Sequence, residues 1–153
     1  MDGLGSVAEI STFYKNKKVF ITGHTGFKGT WLTHILLLFG AEVTGYALDP
    51  PTNPSLFEQT ETGNHIRSII GDIRDKEKLI QAMQDAQPEI VFHLAAQPIV
   101  RTSYKEPVLT YETNVIGTIE FNIEHYYDIW KENKRAQRRA RIAATTIVCG
   151  IRD

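Results

Sequence analysis

The apolar positions of this chain fall into short unbroken runs separated by longer stretches of mixed polarity. Lys18-Val-Phe-Ile-Thr22 is β-branched and aromatic, which predicts a strand, and it runs directly into glycine. Residues 30–39, closed by Gly40, are long enough for a helix. Residues 42–48 predict a second strand ending at Asp49, and residues 66–70 a third. Between them, residues 50–64 are rich in Pro, Thr and Asn and read as a loop with a short turn near Ser55. A helix over residues 76–85 and a strand over residues 88–94 come next. From Pro107 the spacing of Leu109, Thr113, Ile116, Ile119 and Ile123 predicts a helix with that face inward, interrupted by Asn114 and Thr118. Residues 142–148 complete the pattern as a fifth strand. Strand then helix, four times over, specifies an α/β class: a parallel, doubly wound sheet.

The glycines supply the first chemistry. Gly23, Gly26 and Gly29 stand between the first strand and the first long helix, the context that gives a G-x-x-G-x-x-G spacing meaning. Gly23 permits a tight turn, Gly26 lets backbone approach a pyrophosphate, and Gly29 lets helix pack closely on strand. The N–H groups and dipole of the helix start then hold the negative charge. Asp49 lies 20 residues beyond Gly29, where an acid accepts hydrogen bonds from ribose hydroxyls; its other reading is a turn aspartate before Pro50-Pro51. The glycines favour the ribose reading, and an acid there repels a 2′-phosphate, so NAD is expected over NADP. Asp72 and Asp75 both suit a helix cap, with Asp75 preferred, and Asp72 and Ile73 sit at a strand end where adenine lies in such a sheet. Ala95 and Ala96, small residues after the fourth strand, leave room for a cofactor. Asn114 alone reads as a capped or solvent-facing amide.

Composition narrows the class. Over 153 residues, 42% hydrophobic and 23% charged side chains fit one globular domain with a real core. The net charge of −1 hides a skew: residues 131–153 hold seven basic and two acidic side chains. The run over residues 131–141 lacks interleaved aromatics or a reader motif, so a solvated helix end is expected rather than a nucleic-acid surface. A single cysteine, Cys149, precludes an internal disulfide. The opening Met-Asp-Gly-Leu-Gly-Ser has no basic or apolar signal segment, and no apolar run approaches a membrane span. A cytoplasmic protein without membrane contact is expected. Residues 1–17 read as a leader, flexible or loosely docked, and residues 18–153 as the dinucleotide-binding domain.

Thr22-Gly-His-Thr-Gly-Phe-Lys-Gly29 matches T-G-x-x-G-F-x-G and resembles the extended short-chain dehydrogenase/reductase family, the NAD-dependent epimerases and dehydratases of nucleotide sugars. Four further blocks sharpen the likeness: residues 45–57, Gly71-Asp-Ile-Arg-Asp75, His93-Leu-Ala-Ala-Gln-Pro-Ile-Val-Arg101 and residues 110–118. Together they are most similar to the CDP-glucose 4,6-dehydratase group, lyases of O-antigen biosynthesis. The resemblance spans about residues 14–120. It implies a Rossmann fold and bound NAD that takes a hydride from C4 of glucose, so that water leaves across C5–C6 and the hydride returns to C6. It implies cofactor contacts at Gly23, Thr25, Gly26, Phe27, Lys28 and Gly29, adenosine contacts at Asp49, Asp72 and Ile73, and a nicotinamide-side lining of Leu94, Ala95, Ala96 and Gln97. Arg101 matches a position beside the sugar-nucleotide pocket, and Asn114 a buried polar position near the catalytic group. His24 and Lys28 belong to the dehydratase pattern, either touching cofactor or shaping the loop. CDP-glucose is the implied substrate, a homo-oligomer the implied assembly, and no metal is implied.

The same family places its catalytic Tyr-x-x-x-Lys beyond the fifth strand. Here the spacing occurs as Tyr14–Lys18, which precedes the glycine loop, and Tyr127–Lys131, ahead of the fifth strand; both read as chance. After about residue 120 the chain departs from the family pattern, and the later strands and substrate lobe are expected to be missing. Little or no turnover is therefore expected from this chain alone. A non-catalytic NAD-binding module and an epimerase fragment are the alternatives.

Overall fold

The computed structural model describes residues 6–120 and the backbone of Thr145 and Thr146. Helix α1 (Val7–Tyr14) leads into strand β1 (Lys18–Thr22), helix α2 (Phe27–Leu38) and strand β2 (Glu42–Ala47). Then come helix α3 (Leu56–Gln59), a 3-10 turn at Thr62–Asn64, strand β3 (Arg67–Ile70), helix α4 (Lys76–Ala86) and strand β4 (Ile90–His93). Helices α5 (Val100–Lys105) and α6 (Pro107–Tyr111) come next. A π-wound turn at Glu112–Ile116 joins α6 to α7 (Gly117–Glu120), and strand β5 (Thr145–Thr146) pairs at the sheet edge.

All pairings are parallel and the strand order is β3-β2-β1-β4-β5. The chain therefore steps outward from β1 to β3, then crosses back to lay β4 on the other side of β1. In open sheets of this kind, ligands enter at the carboxyl ends of the strands where the order reverses. The register sets Thr22 level with Tyr46 on one side and His93 on the other, so these three residues floor that crevice.

Strand β1 is covered on both faces, which explains its unbroken apolar run. Val19 and Ile21 pack with Leu36, Val43 and Ile90 on one face. Phe20 packs with Tyr46, Ile73, Leu79, Ala82 and Met83 on the other. Each such side chain, fully buried, contributes roughly 1.5–3 kcal/mol, so the crevice rests on the most stable part of the fold. In α4 the buried Leu79, Ala82 and Met83 keep helical spacing, and Asp75 caps the helix by accepting the Lys78 N–H at 3.1 Å.

Three features differ from expectation. The leader contains α1, started by a Ser6–Glu9 capping box, with the Tyr14 ring stacked on Phe39 at 6.2 Å. Helix α2 begins at Phe27 rather than residue 30, so Gly29 lies within its first turn. In the helical stretch from Pro107, Leu109 and Thr113 are half-buried as expected, but the inward face changes after them. Ile116 and Ile119 are about half exposed, whereas Gly117 is buried and Asn114 and Thr118 are half-buried. A π-turn adds one residue to a turn and shifts the phase of the residues after it, here by enough to swap polar for apolar. The expected Ile123 and most of residues 142–148 lie outside the described residues.

Candidate dinucleotide site

The three glycines do different work. Gly23 sits at φ +77°, and a Cβ there would lie 2.9 Å from Ala95 N and the Leu94 carbonyl carbon. A Cβ at Gly29 would lie 2.1 Å from the Gly23 carbonyl oxygen and 2.7 Å from His24 Cα. Both clashes are with backbone, so the fold itself requires glycine at 23 and 29. Gly26 is different. Its φ is −76° and a Cβ there would meet nothing nearer than Gly23 O at 3.5 Å. Nothing among the described residues demands a glycine at that position; the open side is the one a ligand would fill.

Gly26 is also the N-cap of α2, and no side chain caps this helix. Its first turn holds Phe27, Lys28 and Gly29 and no acidic residue. The N–H groups at the start of a helix have no carbonyl of their own, and they and the dipole favour an anion. Phe27 and Lys28 are exposed there. Thr25 is buried, and its hydroxyl donates to Leu48 O at 2.8 Å, tying the loop to the end of β2 immediately before the exposed Asp49.

His24 shapes the loop from beneath. Its ring is fully buried, with Nε2 2.7 Å from Ser68 Oγ and the Phe57 ring edge-on at 5.3 Å. Burial lowers its pKa to about 4, with the Tyr46 carbonyl opposing part of the effect. Nδ1 nonetheless has no hydrogen bond of good geometry among the described residues.

Beyond β3, Asp72 is held by its own loop. Arg74 donates to its carboxylate through Nε at 3.1 Å and Nη2 at 2.6 Å, and reaches Glu112 through Nη1 at 3.2 Å. Those Arg74 hydrogen bonds hold the Asp72 carboxyl below the usual carboxylate range, against a smaller opposing effect of burial. The Ile73 side chain is in the core.

After β4 the backbone of Leu94–Gln97 is pinned at both ends. Thr22 Oγ1 accepts from Leu94 N at 3.1 Å and Ala95 N at 3.2 Å. Asn114 Oδ1 accepts the Gln97 N–H at 2.7 Å while its Nδ2 donates to Gln97 O at 3.0 Å. Asn114 is thus neither a cap nor a solvent-facing amide. Gln97 spends its own amide on Thr110 Oγ1 and on the backbone of Ile99. Ala95 and Ala96 lie between the two pins. Arg101, on α5, is exposed and makes no ion pair among the described residues.

The strands thus carry Gly23–Gly29, Asp49, Asp72 and Leu94–Gln97 to one edge of the sheet. Three participants carry no expectation from the sequence: Thr22, His93 and Thr118, linked side chain to side chain. The available signal was a histidine ending an apolar strand, level with a threonine ending its neighbour.

Residues 20–145 match the GDP-mannose 4,6 dehydratase family. The chain belongs to this family. It is 58% identical to a CDP-glucose 4,6-dehydratase of Salmonella typhimurium over 70% of this chain and 30% of that one. To GDP-mannose 4,6 dehydratase 2 of Caenorhabditis elegans it is 32% identical, over 76% of this chain and 32% of the relative. Among solved structures, the UDP-glucose 4-epimerase of Thermus thermophilus in complex with NAD superposes with a TM-score of 0.62 at 30% identity, covering 73% of this chain and 34% of the epimerase. The chain spans about a third of the length of such family members. The doubly wound, Rossmann-like fold is common to them. Among the described residues no helix is long and apolar enough to cross a membrane.

Proposed function

We propose that this chain is the dinucleotide-binding part of a nucleotide-sugar 4,6-dehydratase that uses NAD on CDP-glucose. The observation that carries the NAD reading is Gly26: a helix start without a side-chain cap, and a glycine that packing among the described residues does not need. Support for the CDP-sugar comes from the 58% identity to the Salmonella enzyme.

In this reading Gly26 admits the pyrophosphate to the N–H groups of Phe27, Lys28 and Gly29, and Lys28 adds a positive charge beside it. Asp49 accepts from the adenosine ribose. Asp72, already neutralised by Arg74, receives adenine at the end of β3. Ala95 and Ala96 let the nicotinamide side pass, Arg101 lies beside the sugar nucleotide, and Asn114 serves that region by holding Gln97. Bound NAD supplies the hydride acceptor and donor for oxidation at C4 and reduction at C6. Residues 18–153 form the cofactor-binding unit, in a cytoplasmic enzyme.

One observation favours binding without turnover by this chain. Tyr14, the tyrosine of the Tyr14–Lys18 spacing, stacks on Phe39 beyond the amino end of β1, the end opposite the glycine loop. It cannot serve a reacting sugar at the carboxyl edge. Tyr127 and Lys131 lie outside the described residues.

The test is thermal unfolding with and without NAD. We expect NAD to raise the midpoint and Gly26→Val to abolish the rise; no NAD-dependent shift in the wild type would overturn the site. Incubation with CDP-glucose and NAD should give no 4-keto-6-deoxy product. Rapid product formation would refute the reading of Tyr14 and require a base elsewhere in the chain.

A further inference from the structure

Thr22, His93 and Thr118 bridge β1, β4 and α7 beneath the pinned segment. Thr22 Oγ1 is 2.8 Å from His93 Nδ1, and His93 Nε2 is 3.1 Å from Thr118 Oγ1. The proton positions are set by what each oxygen already does. Thr22 is fully buried and its Oγ1 accepts from the backbone N–H groups of Leu94 and Ala95, the former shared with Thr22 O. Its own proton needs an acceptor, and the Nδ1 lone pair is within reach. Thr118 Oγ1 donates to Asn114 O at 2.8 Å, so it has no proton left for the ring and accepts from Nε2–H. Asn114 then holds Gln97 through both of its amide atoms.

We infer that His93, neutral and protonated on Nε2, is a positioning residue of the dinucleotide site: it couples Thr22 to Thr118 and so fixes the Leu94–Gln97 backbone from both ends. The circuit closes on itself. Thr22 pins Leu94 and Ala95, His93 joins Thr22 to Thr118, Thr118 bonds the backbone of Asn114, and Asn114 pins Gln97. Every link is directional. The opposite tautomer would set Nδ1–H against a Thr22 oxygen that already accepts two N–H groups. It would also draw the Thr118 proton away from Asn114 O, leaving two acceptors face to face. The role rests on the dinucleotide reading of the site, because the segment held in place is the one that lines the cofactor's path. Among the described residues its ring nitrogens meet Thr22 and Thr118.

The test uses the full chain, with NAD as the probe. Thr118→Val removes the Nε2–H acceptor and should weaken NAD binding about tenfold, whereas Thr118→Ser, which keeps the hydroxyl, should stay within about threefold of wild type. In the wild type at neutral pH, ¹⁵N spectra should show His93 protonated on Nε2 and bare on Nδ1. A ring protonated on Nδ1, or equal NAD affinity in wild type and Thr118→Val, overturns the positioning role while leaving the site intact. Failure of the wild type to bind NAD overturns the site itself. If Thr118→Val does not fold, the wild-type tautomer and the exchange protection of the Leu94 and Ala95 amides decide: slow exchange with an Nε2 proton supports the circuit, and fast exchange refutes it.

Discussion

The His24 ring occupies the space that a side chain at position 45 would need. A Cβ on Gly45 would lie 2.3 Å from His24 Cγ and 2.7 Å from its Nδ1. Gly45 is in β2 and His24 in the glycine loop, so the two residues lock the loop to the neighbouring strand. His24 therefore shapes the loop from below.

Gly45→Ala should destabilise the fold by about 1–3 kcal/mol, the usual cost of overpacking, and weaken NAD binding by displacing the ring. His24→Ala should also destabilise, by leaving a cavity. Because both losses concern the same volume, the double variant should lose clearly less than their sum. Urea unfolding of the three variants measures this. Strict additivity would show that the two residues do not share one space.

The glycine loop offers a second contrast. Gly29→Ala drives a Cβ into the Gly23 carbonyl and the His24 backbone, and should cost about 3 kcal/mol or more with no ligand present. Gly26→Ala meets only ordinary contact, and should change unliganded stability by no more than about 1 kcal/mol while reducing NAD affinity. The separation can be read from melting curves with and without NAD. Equal losses of unliganded stability would mean that Gly26, too, serves the fold.

Acid should weaken the fold through two histidines. Burial lowers His24 and His93 to about 4 in the folded chain, against about 6.5 when unfolded. Between those values the unfolded chain binds more protons, so the stability due to these rings falls as pH drops from about 6.5 toward 4 and levels off below, where the loss from Asp72 takes over. Each ring contributes on the order of 3 kcal/mol over that window. His93→Asn should remove about half of the pH dependence and leave the part due to His24. Unfolding midpoints measured across the window check this, and a flat profile in the wild type would show that the rings accept protons without cost.

Much of this was legible in the sequence, and for one reason. Strand β1 is buried on both faces and the glycines come directly after it, so local pattern and tertiary role coincide there. The same holds for the Asp75 cap. Helix α1 was legible in principle, since Ser6 and Glu9 stand at capping-box spacing, but polar neighbours hid it. The inward face of residues 107–120 was not legible. Spacing that ranks Ile116 and Ile119 as core assumes an unbroken α-helical phase, and the π-turn at Glu112–Ile116 resets it. Asn114 then turns to Gln97, and Gly117 is left so close to Ile73 that a Cβ there would lie 3.0 Å from Ile73 Cγ2. The role inferred for His93 could not be read from spacing, because its partners at 22 and 118, one on β1 and one on α7, are brought together only by tertiary packing.

On the proposed reading, Asp49 should decide between dinucleotides. It is exposed at the carboxyl end of β2, one residue after the Leu48 carbonyl that Thr25 holds, so its backbone is fixed to the glycine loop. Among the described residues it has no cationic partner, which leaves its charge unopposed toward whatever occupies the crevice. A carboxylate there accepts from a ribose 2′-hydroxyl and repels a 2′-phosphate. Asp49→Asn removes the repulsion and weakens the acceptor. NAD affinity should fall and the preference for NAD over NADP should shrink by about tenfold, equivalent to about 1.4 kcal/mol. Parallel titrations of both dinucleotides against wild type and variant measure the ratio directly. An unchanged ratio would place the ribose away from Asp49 and return that residue to the turn before Pro50-Pro51.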